Sequence, residues 1–158
     1  MTGDGPTEAR RRWTRGERIV AVAGALLVLD LLALPWHSFG VDVSELEQFG
    51  IQLPGFDLQR RAVQDPQAFF GIASAVLAGL MVLQVVACKL GFLPRVEQVH
   101  LVAGAVTLGL VVAKLMANND FLAIGAYLGV ALAAALAYGG FVLSQETATG
   151  TGRTVPNP

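Results

Sequence analysis

The sequence predicts an all-α membrane protein, a bundle of four transmembrane helices, and three observations carry that prediction. Hydrophobic residues make up 54% of the 158 and charged residues only 15%, where a soluble domain carries about a quarter charged. Four long apolar segments follow one another, over about 18–36, 68–88, 96–117 and 121–144. Each is close to the ~20 residues that a helix needs to cross a hydrocarbon core of ~30 Å. The charges are also clumped, with Arg10, Arg11, Arg12, Arg15 and Arg18 all in the first eighteen residues. A net charge of −1 therefore hides a steep asymmetry. A short basic arm directly before an apolar run sets membrane orientation and points away from nucleic acid as a partner.

The first segment has the basic flank of a signal peptide, but its apolar run is too long for one. It also contains Asp30 and closes on Leu34-Pro35-Trp36 instead of a small-residue cleavage site. It reads as a retained helix. The second and fourth segments hold no charge, and the third holds one interior charge, Lys114.

Orientation follows from the flanks. The N-terminal arm is arginine-rich, Lys89 and Arg95 border the link between the second and third segments, and Arg153 lies in the C-terminal tail. Opposite them, Asn118, Asn119 and Asp120 carry no positive charge. The loop over 37–67 holds Asp42, Glu45, Glu47, Asp57 and Asp65 against Arg60 and Arg61. The positive-inside rule then places both termini in the cytoplasm and a long acidic loop outside, between helices one and two. Within that loop, Val41-Asp42-Val43 alternates as a short strand would. Ser44 and Glu47 have capping-box spacing, Gly50, Pro54 and Gly55 are breakers, and Asp65-Pro66 suits a helix start. The tails, 1–17 and 145–158, are rich in Gly, Thr and Pro and are expected to be disordered, the first as a basic cytoplasmic arm.

Small residues recur along two segments: Gly71, Ala75 and Gly79 in the second, and Gly125, Gly129, Ala133 and Ala137 in the fourth. Such stripes let helix backbones approach closely where lipid removes the hydrophobic drive. They would serve packing inside the bundle, with a face left over for a second copy or a larger membrane protein.

The ionisable residues within the segments are the candidates for chemistry. Asp30 and Lys114 lie roughly 7 and 6 Å below the outer ends of their helices, by residue spacing. A charge in hydrocarbon is costly, which favours pairing, so an ion pair between Asp30 and Lys114 is expected. It would act as a register pin, or alternatively line an ion or proton path. On the cytoplasmic side, Gln84, Glu97 and His100 form a possible polar cluster, with too few ligands for a metal site. Trp13 and Trp36 are placed as interface anchors, the latter beside His37 and Phe39. The single cysteine, Cys88, excludes an intramolecular disulfide. No phosphate loop, nucleophile elbow or metalloprotease spacing is present, so no catalytic residue, metal or cofactor is expected.

Leu34-Pro35-Trp36 closes the first segment and Asn119-Asp120-Phe121-Leu122 opens the fourth. Together with Gly125-Ala126-Tyr127-Leu128-Gly129 and Ala137-Tyr138-Gly139-Gly140-Phe141, these resemble a group of small four-pass membrane proteins of actinobacteria. The resemblance spans about residues 18–145 and implies a bacterial inner membrane location, without carrying over any catalytic residue. Claudins share the four-pass layout, but their paired loop cysteines are missing here. The expected function is a non-enzymatic accessory or scaffold subunit. It would contact the bilayer, anionic headgroups through the basic arm, and another membrane protein or a second copy. The alternative is a small transporter or ion-conducting subunit built on Asp30 and Lys114.

Overall fold

A computed structural model describes residues 13–38, 59–64, 67–93, 97–117 and 122–151. Residues 39–58, with the strand expected at 41–43 and the cap at Ser44, lie outside them, as do Asp65-Pro66 and residues 118–121. In chain order the elements are α1 (Arg15–Ala33), β1 (Pro35–Ser38), β2 (Gln59–Arg61), α2 (Ala68–Leu90), α3 (Glu97–Ala117) and α4 (Ile124–Thr151).

Local chemistry explains where the helices stop and start. Thr14 caps α1 in a full capping box: its hydroxyl accepts from the Glu17 N–H at 3.3 Å, and its own N–H donates to Glu17 Oε2 at 2.8 Å. The helix therefore begins at Arg15, three residues before the predicted start. It ends at Ala33, because Leu34 precedes proline and is held extended at φ −85°, ψ 147°. α2 runs to Leu90 and closes on Gly91 in the left-handed region (φ 81°). There the N–H groups of Gly91 and Phe92 donate to the carbonyls of Cys88 and Ala87, a Schellman closure.

α4 departs from expectation at both ends. It starts at Ile124 instead of 121, because Leu122 is drawn into a β-bridge with His37 and the Ala123 N–H donates to the Trp36 carbonyl at 2.9 Å. It runs on through Thr151, where a disordered tail was expected from 145. Glu146 holds that extension in place. Its carboxylate accepts from the Gly16 N–H at 3.3 and 3.4 Å, one of the donors a helix leaves unpaired at its N-terminus.

Each helix packs on the next in sequence, and α4 closes the ring against α1. Neighbours run antiparallel: the start of α1 meets the end of α2 through Glu17 and Lys89, and the start of α3 meets the end of α4 through His100 and Gly140. α1 and α3 consequently face each other across the diagonal. The seam has a seven-residue repeat in every helix. The repeat is Glu17, Val20, Gly24, Leu27 and Leu31 in α1, beside which Gly16, Ala23 and Asp30 are also buried, and Gly71, Ser74, Ala78, Met81 and Val85 in α2. In α3 it is His100, Gly104, Thr107, Val111 and Lys114, and in α4 Ala126, Gly129, Ala133, Leu136, Gly140 and Leu143, with Gly125 and Gly139 buried beside them. Alternating steps of three and four are the signature of knobs-into-holes packing in left-handed bundles.

The fold is mostly helical, with one addition to the expected all-α class. β1 and β2 pair antiparallel, with Pro35 opposite Arg61, His37 opposite Arg60 and Ser38 opposite Gln59. Trp36 is the extra residue in that register, a bulge, and bulges re-aim side chains. Here the bulge turns the indole into the bundle. With Leu122 bridged to its other edge, β1 caps the end of the bundle formed by the last turn of α1 and the first turn of α4.

Three helical stretches, Ala68–Leu90, Val99–Ala117 and Ile124–Glu146, are long and apolar enough to cross a membrane. α1 is not among them by composition, since it carries Arg15, Glu17, Arg18 and Asp30 within nineteen residues.

Candidate functional site

The bundle gathers its polar groups into a node at each end, with two hydroxyls between. At the sheet-capped end, Trp36 is fully buried and its Nε1–H donates to Asp30 Oδ2 at 3.2 Å. Asp30 is itself only 2% exposed. Its other oxygen, Oδ1, has no hydrogen-bond partner. The slot for this pair is cut by α4. A Cβ on Gly129 would lie 2.7 Å from Asp30 Oδ2 and clash with the edge of the Trp36 ring, and one on Gly125 would lie 2.6 Å from the Pro35 carbonyl oxygen. These two glycines make room for a tryptophan and its strand, where helix-on-helix contact was expected.

Lys114 shares this end of the bundle at 1% exposure, but it does not pair with Asp30. Its Nζ donates to the backbone carbonyl of Gln67 at 3.2 Å. Gln67 is the cap of α2, with φ 66°, and its side-chain amide donates to the Ala117 carbonyl at 3.4 Å. The expected ion pair is thus corrected, and the topology supplies the reason. Equal depth on two helices places groups together only if the helices are neighbours, and α1 and α3 are diagonal. Each charged group meets a partner on an adjacent element instead.

The position of Trp36 is likewise a correction. It was expected as an interfacial anchor, but the helix break at Leu34-Pro35 and the bulge in β1 seat it in the core. His37 is also buried, with its backbone bridged to Arg60 and Leu122.

At the opposite end, Glu17 and Lys89 form a salt bridge of 2.6 Å, both largely withdrawn from solvent. The Lys89 ammonium sits 6.0 Å from the centre of the half-exposed Trp13 ring, within cation–π range. Glu146 arrives from α4 to bond Gly16. Glu17 and Glu146 were not singled out from sequence. For Glu17 a signal was present, since Thr14 stands three residues before it, the capping-box spacing. Glu146 carried no such local signal.

Between the nodes, Ser74 and Thr107 are fully buried, and each hydroxyl donates to the carbonyl four residues back, at 2.7 and 2.8 Å to Phe70 and Ala103. The expected Gln84–Glu97–His100 cluster is not drawn together by hydrogen bonding between Gln84 and His100, and the Glu97 side chain lies outside the described residues. His100 is buried, and its carbonyl packs on Gly140. Among the described residues no group of three or more His, Cys, Asp or Glu could hold a metal.

The small-residue stripes divide by role. Ala133 is in the core, Ala137 meets Gly104 of α3, Gly71 meets the Ala62 backbone, and Ala75 packs at the core margin. A Cβ on Gly79 would meet nothing within 4 Å. Comparison with protein families, with curated proteins and with solved structures finds no match to this chain.

Proposed function

We propose that this chain is a four-pass protein of a bacterial cytoplasmic membrane, both ends cytoplasmic, acting as a non-enzymatic accessory or scaffold subunit. The observation that supports it is the inverted polarity of the bundle. Glu17, Asp30, Ser74, His100, Thr107 and Lys114 are buried, while Val22, Leu29, Leu83 and Val102 are about 60% exposed. In water this arrangement would leave apolar surface wet and polar groups dry, the reverse of what stabilises a soluble fold. In lipid it is the expected one.

The same logic supports a fourth span. The outward side of α1 presents Val22, Leu26, Leu29 and Leu32, while Glu17 and Asp30 are turned inward. Arg15 and Arg18, exposed at its start, suit anionic headgroups on the cytoplasmic side. The scaffold role draws support from the use of the interior polar groups in holding helices to one another. Gly79, with Ile72, Val76, Leu80 and Leu83 exposed on the same helix, leaves a face open to a membrane partner or a second copy. Purification in mild detergent with mass spectrometry tests the role. A stable co-purifying membrane protein or a homodimer is expected, and repeated recovery of a lone monomer would defeat it.

One observation favours the second reading, a small transporter or ion-conducting subunit: the buried Asp30 carboxyl has an oxygen with no partner. Solute or proton flux in liposomes that is lost on Asp30→Asn with the fold intact would select it.

A further inference from the structure

We infer that Asp30 is a proton-binding site, its carboxyl group carrying a proton on Oδ1 while Trp36 is seated against Oδ2. The inference stands on the geometry of the bundle interior and does not depend on the partner reading above. As a carboxylate, Asp30 would hold a full charge on a single hydrogen bond, from the Trp36 indole, at 2% exposure to solvent. Burial penalises that combination most heavily. A proton on Oδ1 removes the charge and leaves Oδ2 free to accept from the indole, the one contact present.

Among the described residues, no neighbouring group offers another solution. On α4 the residue against Asp30 is Gly129, and the buried residues to either side, Ala126 and Ala133, do not titrate. The buried face of α2 offers Ser74, whose hydroxyl is spent on the Phe70 carbonyl. On α3 the ammonium of Lys114 is turned to Gln67, and Thr107 is bonded to Ala103. On β1 the titratable residue is His37, next to Trp36. On β2, Arg60 and Arg61 face outward. A metal cation needs several oxygen ligands, and no cluster of that kind exists among the described residues. A proton needs one. The exchange is simple protonation: an O–H bond forms on Oδ1, and the proton comes from and returns to water at the sheet-capped end.

The test is infrared spectroscopy of the full chain in lipid nanodiscs across a pH series. A neutral carboxylic-acid band present at neutral pH and removed by Asp30→Asn is expected. A band unaffected by that substitution, or carboxylate absorption alone at neutral pH, would overturn the assignment. A second measurement follows Trp36 directly, since Trp13→Phe leaves it as the only tryptophan. Its emission should move to the red as the band is lost on alkalinisation, and both changes should vanish in Asp30→Asn. His37→Gln should leave the midpoint in place, and a midpoint that followed His37 instead would defeat the proposal. Repeating the series at two sodium concentrations covers the remaining case, because a sodium-dependent midpoint would mean a cation site in place of a proton site.

Discussion

At the scale of single residues, the pair that matters is Asp30 with Trp36. Hydrogen bonds between membrane helices average about 0.6 kcal/mol and reach about 1.7. Trp36→Phe also strips the remaining partner from a buried carboxyl group, so its effect should lie at or above the top of that range, about 2 kcal/mol, read from unfolding in mixed micelles. Asp30→Asn, which keeps an acceptor, should be far milder than Asp30→Leu. Because Asp30 and Lys114 have separate partners, the effects of Asp30→Asn and Lys114→Met should add within about 0.5 kcal/mol in a double-mutant cycle. A larger coupling would restore the direct pair. Which residues are charged and at what depth was legible in the sequence. Their partners were not, because depth says nothing about which helices stand side by side, and Trp36 turned inward through a bulge that no local pattern announced.

At the scale of elements, the glycines divide into those that admit a neighbour and those that do not. Gly129→Ala places a methyl against Asp30 and the Trp36 ring, and should destabilise by about 1–3 kcal/mol, as overpacking does. Gly79→Ala meets open space and should be neutral, or gain up to about 1 kcal/mol from helix propensity. Thermal unfolding of the two variants side by side checks both. If Gly79→Ala keeps the fold yet abolishes a co-purifying partner, the open face is the docking face. The extension of α4 has its own test. Glu146→Gln weakens a charge placed at a helix N-terminus, an effect of about 0.3–1 kcal/mol, and should shift the Gly16 amide resonance above all others. Helix existence was readable from hydropathy throughout. The ends were readable where a local cause sits nearby, as with Gly91, and unreadable where the cause is a residue far away in sequence, as with Leu122 held by His37.

At the scale of the whole molecule, the inverted polarity is the property from which the membrane reading grows. It was half visible beforehand. On α3, His100, Thr107 and Lys114 fall seven residues apart, so the polar residues themselves mark the buried seam, although hydropathy alone treats them as interruptions. Orientation is checked by single cysteines in a Cys88→Ala background with a membrane-impermeant thiol reagent on intact cells. Positions 45 and 119 should label from outside and position 155 should not; the opposite pattern would reverse the topology.

The closure of α4 on α1 has a consequence for how the chain is made. Trp36 is synthesised early, but Gly125 and Gly129, which cut its seat, and Glu146, which ties down the start of α1, leave the ribosome among the last. Until they arrive, Asp30 and Trp36 lack the wall of α4 that closes over them. Completion of the final helix is thus the event that covers the Asp30 carboxyl group, and a nascent chain stalled before Ile124 leaves that group on display. Incompletely folded chains are triaged by cellular proteases, so a chain truncated at position 120 should turn over far faster than the full one in pulse-chase. Its Asp30→Leu counterpart should be spared.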